Sequence, residues 1–202
     1  MNTAILFEKH QTLLNDAIKH PFLKLIQQGK LEDKEFNRWL QQDYAFVLEF
    51  TRLVASLLEE APSSHFVFII DGLKAISNEK LWFEEELKKR NLSLDPKIHE
   101  NCFEYLDFLK KMRKSTYSMK LFSIFAIEYV YERAWDLGLS EGPYEKISKR
   151  WNNNDFSIYV KKLESITNDE IQKADSLQEK EIDNAFQNIM ILEKKFWDMA
   201  FL

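Results

Sequence analysis

Three acidic residues interrupt apolar helical stripes in this 202-residue chain. Asp43 lies three residues after Leu40 and three before Phe46, in a run whose apolar residues recur at intervals of three and four. Glu128 and Glu193 hold similar places in two later runs. Residues with this spacing share one face of a helix, so each acid is predicted to point into the core. The stripes consist of Phe36, Trp39, Leu40, Phe46, Val47, Phe50, Leu53, Val54 and Leu57 around Asp43; Leu121, Ile124, Phe125, Tyr131 and Trp135 around Glu128; and Ile182, Ala185, Phe186, Ile189, Phe196, Trp197 and Ala200 around Glu193.

The chemistry of a buried acid allows two interpretations. An ionised carboxylate without a partner is costly to bury, so it finds a cation or takes up a proton. In the first interpretation, each acid is neutralised by a core Lys or Arg or reaches solvent at a helix edge. In the second, the acids line a cavity walled by aromatic rings, bind a polar, cationic or aromatic ligand and perform acid–base chemistry. The basic residues nearby in sequence fall on predicted polar faces, which favours the second; they are Arg38, Arg133, Lys194 and Lys195.

Long helices are the elements that must position these acids. The chain has only four glycines and four prolines, whereas average usage would supply roughly three times as many. Sandwiches and barrels need these residues at their turns, so an all-α fold is predicted. Aromatic residues make up 14% of the chain and hydrophobic residues 45%, enough for one folded domain over residues 1–202. Predicted helices include residues 3–19, 33–60, a segment opened by Asp95 and Pro96, 116–137, and a last helix opened by a capping box of Thr167 and Glu170.

Composition excludes several classes of function. The net charge is −5 and no basic run suits a phosphate backbone, so nucleic acid is not an expected partner. The single cysteine cannot form an internal disulfide, and no signal peptide or membrane span is apparent, which predicts a cytoplasmic protein without membrane attachment. No His lies three residues after a Glu, as a ferritin-like di-iron site requires, so no metal is expected. Haem ligation by His10 or His20 stays open as an alternative.

Several stretches together resemble the thiaminase II (TenA) family over nearly the whole chain. The matching stretches are His20-Pro21-Phe22, Phe36-x-x-Trp39-Leu40-x-Gln42-Asp43-Tyr44, and Glu193-x-x-Phe196-Trp197-Asp198-Met199-Ala200. The resemblance implies a haem-oxygenase-like helical bundle, generally without haem or another cofactor, that assembles as a homotetramer. It also implies hydrolysis of aminopyrimidines derived from thiamin, or of thiamin itself, in thiamin salvage.

This chain departs from the main branch of that family at the nucleophile. The main branch carries a cysteine in a Pro-Cys-x-Trp-x-Tyr helix, whereas the segment here reads Phe-Ala-Ile-Glu-Tyr-Val-Tyr over residues 125–131. Cys102 lies one helix too early to replace that cysteine. The segment with Glu128 resembles the glutamate-bearing branch, which is linked to hydrolysis of aminopyrimidine and its N-formyl derivative.

The resemblance implies a role for each of the three acids. Asp43 accepts hydrogen bonds from the exocyclic amine of the pyrimidine. Glu193 matches the catalytic acid–base glutamate, which protonates the leaving amine. Glu128 either activates water or attacks covalently. Periodicity selects the same three residues.

Five aromatic residues are predicted to form the walls that hold the flat ring. They are Phe46, Tyr105, Tyr131, Trp151 and Phe196. The resemblance implies that Trp151 takes the place of a tyrosine in the family's pocket, judged by its spacing to Phe156. A different class of function stays open, because loss of the cysteine could leave a non-catalytic protein that binds a ligand or regulates a partner.

Overall fold

The computed structural model describes residues 1–202 and is all-α, as predicted. The α-helices are α1 (Thr3–Lys9), α2 (Gln11–Ile18), α3 (Pro21–Gln27), α4 (Asp33–Ser56), α5 (Phe66–Lys89), α6 (Glu100–Met112), α7 (Tyr117–Leu137), α8 (Glu145–Trp151), α9 (Asn154–Ile171) and α10 (Ser176–Asp198). Short 3₁₀ segments cover Leu57–Glu59, Ser63–His65 and Met199–Phe201. No helix combines the length and the apolar character needed to cross a bilayer.

Three helix boundaries differ from the sequence prediction. The predicted helix over residues 3–19 is interrupted at His10, which leaves the helical conformation (φ −112°, ψ 28°) and bonds through its ring to Asp183 of α10. The segment opened by Asp95 and Pro96 is not yet helical, since α6 begins at Glu100 and is capped by His99.

The capping box predicted at Thr167 is also wrong, because Thr167 lies inside α9 and is fully buried. The cap of α10 is Asp175, whose carboxylate accepts hydrogen bonds from the backbone N–H groups of Leu177 and Gln178. The Gln178 side chain in turn accepts from the Asp175 N–H, which completes a capping box eight residues further on.

The chain forms two compact units. Unit 1 contains Met1–Leu31 and Leu121–Asp198, and unit 2 contains Glu32–Lys120 and Met199–Leu202. The single domain expected over residues 1–202 stays a prediction.

Unit 1 has α10 packed along α2 and a core of large rings. Trp135, Trp197, Phe22, Phe122 and Phe186 are fully or almost fully buried there. This core carries the C-terminal half of α10, where Glu193 lies.

Unit 2 is organised around α4, which packs against both α5 and α6. The closing 3₁₀ segment also packs on α4, where Arg38 donates a hydrogen bond of 2.9 Å to the Ala200 carbonyl. At the other end of the helix, the buried Lys120 ammonium bonds to Glu60 at 2.6 Å. These contacts fix both ends of the helix that carries Asp43.

Candidate functional site

Asp43 and two predicted ring residues lie in unit 2. Asp43 is 2% exposed and lies one helical turn before Phe46 on α4. The Phe46 ring is 4.7 Å from the ring of Tyr105 on α6, with the planes inclined by 56°. Phe46 also stacks on Phe50 at 5.7 Å. Phe46 and Tyr105 are therefore brought together in unit 2, and Asp43 lies on the same face of α4 as Phe46.

Cys102 is buried one turn before Tyr105 on α6. Its thiol donates to the backbone carbonyl oxygen of Gln42, with Sγ and O 3.7 Å apart. Burial, together with the negative charge of Asp43, raises the pKa of the Cys102 thiol to about 12. The thiolate is the nucleophilic form of cysteine, so the thiol of Cys102 is inert near neutral pH.

Glu193 and Phe196 lie in unit 1, on the C-terminal half of α10. Both are 2% exposed and are separated by one helical turn. Trp197 follows directly and stacks on Tyr131 at 5.9 Å and on Phe22 at 5.3 Å. The prediction that Glu193 is buried on the last helix is confirmed.

Tyr131 and Trp151 are also brought together in unit 1. The Tyr131 ring on α7 meets Trp151 of α8 edge to face at 5.5 Å, with the planes at 89°. Trp151 stacks in turn on Trp135 at 4.8 Å. Trp151 is buried and Tyr131 is half-buried, so Tyr131 lies at the margin of this ring cluster.

Glu128 lies one turn before Tyr131 on α7 and is half-buried rather than buried. The reason is that every residue from 121 to 127 is buried, so periodicity does not define one inward face in this part of α7. The buried acid of this helix is Glu132, which accepts a hydrogen bond from the Ser157 hydroxyl of α9. Sequence analysis missed Glu132, although its spacing of four residues from Glu128 places both on one side of α7.

A second feature missed from the sequence is the pair formed by His20 and Asp198. His20 Nδ1 accepts the backbone N–H of Phe22 at 3.2 Å and so caps α3, which leaves the Nε2–H to donate to the Asp198 carboxylate at 2.9 Å. Lys194 contacts the other carboxylate oxygen at 2.6 Å. Both ring nitrogens of His20 are engaged, and His10 bonds to Asp183, which disfavours either histidine as a haem ligand.

Burial and charge determine the ionisation of this pair. Burial lowers the pKa of His20, against the opposing effect of Asp198. Burial alone would raise the pKa of Asp198, but the hydrogen bonds from Lys194 and His20 outweigh it and lower the pKa. Near neutral pH the pair is therefore a neutral imidazole that donates to a carboxylate. No group of three or more His, Cys, Asp or Glu side chains is arranged to hold a metal ion.

Comparison with known proteins identifies the fold of this chain and the family to which it belongs. A TenA homologue from Pyrococcus furiosus, solved by X-ray crystallography, superposes with a TM-score of 0.93 at 24% identity, covering 99% of this chain and 100% of that one. This likeness confirms the predicted haem-oxygenase-like all-α fold. The sequence profile of the TENA/THI-4/PQQC family matches residues 7–201, so the chain belongs to that family.

Two relatives in sequence cover almost the whole chain. A probable bifunctional TENA-E protein of Glycine max is 29% identical over 206 residues, which span 96% of this chain and 90% of the relative. An aminopyrimidine aminohydrolase of Halalkalibacterium halodurans is 24% identical over 211 residues, which span 98% of this chain and 94% of the relative.

Proposed function

We propose that this protein is a hydrolase of thiamin salvage that cleaves a C–N bond of a thiamin-derived aminopyrimidine or of its N-formyl derivative. The observation that carries the proposal is the burial of Asp43 and Glu193 at 2% exposure, each beside aromatic rings, in a chain of this family. The name of one relative that spans the chain, an aminopyrimidine aminohydrolase, supports the same reaction class.

The three acids have separate roles in the proposed reaction. Asp43 accepts hydrogen bonds from the exocyclic amine and so selects an aminopyrimidine. The C–N bond breaks as an oxygen bonds to the carbon: either the oxygen of a water whose proton passes to Glu128, or a carboxylate oxygen of Glu128, whose ester is then hydrolysed by water. The electron pair of the broken bond goes to the nitrogen, and Glu193 supplies the proton that makes it a leaving amine.

The aromatic side chains supply orientation. Phe46 and Tyr105 form one ring pair, and Tyr131, Trp151 and Phe196 belong to the ring-rich core of unit 1. Stacking on a flat heterocycle and holding it in a reactive orientation lowers the barrier by removing its freedom of rotation.

We further propose that the chain belongs to the glutamate-bearing branch of the family. The lone cysteine, Cys102, lies on α6 with a protonated thiol, whereas Glu128 lies on α7 in the segment where the main branch has its nucleophile. Half-burial suits Glu128 to this role, because a group that activates water needs access to it. A cytoplasmic location, which the single cysteine favours, and a homo-oligomeric assembly, which the family resemblance implies, are part of the same proposal.

The decisive experiment is incubation of the purified protein with aminomethylpyrimidine, its N-formyl derivative and thiamin, followed by NMR. We expect turnover of at least one aminopyrimidine. Saturable binding of one compound with turnover of none would instead identify a ligand-binding protein of the same fold.

Glu193→Gln tests the role of the acid, because glutamine keeps the shape of the side chain but cannot donate the carboxyl proton to the leaving amine. It should fold normally and lower kcat by about 100- to 10,000-fold, the usual contribution of a general acid. Glu181→Gln, an exposed change on the same helix, is the control and should keep the wild-type rate. A wild-type rate for Glu193→Gln would show that Glu193 is not the acid.

A further inference from the structure

Gln42, directly before Asp43 on α4, holds a segment of backbone with both ends of its amide. Its Nε2 donates to the Lys97 carbonyl at 3.1 Å, and its Oε1 accepts the His99 N–H at 2.9 Å. The side chain is only 4% exposed. A primary amide is suited to this position, because it donates and accepts at once without carrying charge.

The two bonds act at the point where α6 begins. His99 is the N-cap of α6, and its ring Nδ1 accepts the Asn101 N–H at 3.1 Å. A third link follows within the first turn of the helix, where the Cys102 thiol bonds to the backbone carbonyl of Gln42. Gln42 therefore contacts the start of α6 through both its side chain and its main chain.

The contacts that follow show that α4 and α6 run in the same direction. Gln42 meets His99 and Cys102, and one turn later Phe46 meets Tyr105. Further along, Glu49 meets Arg113 just beyond the end of α6, at 2.8 Å. The position of α6 along α4 is therefore set at its beginning by Gln42, four residues before the ring that contacts Tyr105.

The segment before α6 and the facing part of α4 line the same cleft. Its volume is about 950 Å³, and its lining includes Gln42 of α4 as well as Lys97, Ile98 and Phe103. Phe103 is 58% exposed. Along this cleft, the hydrogen bonds from Gln42 connect α4 directly to residues 97 and 99.

We propose that Gln42 is a positioning residue: it fixes the start of α6 against α4 and so places Tyr105 beside Phe46, in the wall next to Asp43. The proposal rests on the proposed function, in which this wall holds the pyrimidine. Gln42 acts through Tyr105 and needs no contact with the substrate.

Gln41 provides a matched control. Its Nε2 donates to the carbonyl of Ser93 in the same connecting segment at 3.3 Å, but it makes no bond to residues 97–102. Loss of the Gln41 bond should therefore leave the start of α6 in place.

The experiment compares wild type, Gln42→Met, Gln42→Glu and Gln41→Met in kinetics with the aminopyrimidine that the wild type turns over. Gln42→Met keeps the length of the side chain and removes both bonds. We expect KM to rise roughly tenfold while kcat changes less, because the ring wall is displaced but the acid is intact. Gln42→Glu can still accept from His99 but cannot donate to Lys97, so it should show a smaller rise. Gln41→Met should keep the wild-type KM.

A measurement without substrate separates this proposal from the proposed function. The nuclear Overhauser effect between the Phe46 and Tyr105 rings should be strong in the wild type and in Gln41→Met, and weak in Gln42→Met. If Gln42→Met does not fold, Gln42→Glu decides by the same measurement. An undiminished effect in the folded Gln42 variants, or a wild-type KM in them, overturns the proposal. A wild-type protein that turns over no pyrimidine overturns the proposed function, while the ring measurement still decides the position of α6.

Discussion

The two units hold their acid-bearing helices by different chemistry. In unit 1, the end of α10 that carries Glu193 is tied to α3 by His20 and Asp198, a pair in which both members titrate. In unit 2, Gln42 of α4 holds the start of α6 through its side-chain amide and two backbone groups, none of which titrates. The positions of two similar acids can therefore respond differently to pH, because the groups that hold their helices in place titrate in one case and not in the other.

The aromatic surroundings differ as well. Unit 1 joins Tyr131, Trp135, Trp151 and Trp197 in one continuous cluster, with centroid separations as short as 4.8 Å. In unit 2, the rings around Phe46 include Phe50 and Tyr105, and Tyr105 contacts Phe108 at 6.3 Å. The tryptophan-rich cluster of unit 1 buries larger rings and should contribute more to the stability of the fold, and the rings around Phe46 should contribute more directly to binding.

Replacing Trp151 by Ala should have the largest effect on stability. Trp151 is 5% exposed and packs between Trp135 and Tyr131, so its removal leaves a large cavity among rings. We expect the free energy of unfolding to fall by about 4–5 kcal/mol, against about 3 kcal/mol for Phe46→Ala. Denaturant unfolding measures both, and Phe103→Ala, at an exposed ring, should change it by less than about 0.5 kcal/mol. Equal costs at residues 151 and 46 would contradict the contrast between the two clusters.

Removal of the His20 ring should have the next largest effect. His20→Ala loses the cap of α3 and the donor to Asp198 in one change, so we expect a loss of about 2–3 kcal/mol in the free energy of unfolding. His20→Gln keeps an amide that can donate to Asp198 and should recover part of this loss. Gln41→Ala, which removes a more exposed bond, is the control and should cost less than about 0.5 kcal/mol. A neutral His20→Ala would show that the pair does not hold α10.

The sequence predicted those features that depend on local pattern. The stripe around Asp43 and the one around Glu193 each mark a single buried face, so burial of these two acids could be predicted. Glu128 could not be placed in the same way, because α7 is buried on all sides just before it. The start of α10 was misplaced because Thr167 and Glu170 carry a capping pattern, while the apolar side of α9 continues through them to Ile171.

The contacts made by Gln42 and His20 could not be predicted, because they join residues far apart in sequence. Gln42 bonds to backbone groups 55 and 57 positions later, and His20 bonds to a side chain 178 positions later. A single sequence shows that these polar residues lie beside apolar ones, but not which partner satisfies them. Their positioning roles therefore come from the structure alone.

A change of pH should alter the free energy of unfolding less than the substitutions at Trp151 and His20 do. It should, however, distinguish the two units most sharply. Because the pKa of His20 is lowered by folding, the unfolded chain binds the proton more readily as pH falls below the ordinary value of 6.5. The stabilising contribution of neutral His20 is thus complete above pH 6.5 and is lost as pH falls towards the folded pKa. The lowered pKa of Asp198 acts in the same direction, but only as pH falls below its ordinary value of 3.8.

Unfolding free energies measured between pH 7.5 and 5 in wild type, His20→Gln and Gln42→Met isolate the His20 contribution. Other titrating groups are common to all three proteins and cancel when the pH profiles are compared. We expect wild type and Gln42→Met to lose stability in parallel below pH 6.5, since no titrating group is removed from unit 2. His20→Gln should have a flatter profile over the same interval, and it should be less stable than wild type at pH 7.5. Parallel profiles for all three would mean that His20 is protonated equally in the folded and unfolded chains. The two units would then not differ in how pH acts on the helices that carry Glu193 and Asp43.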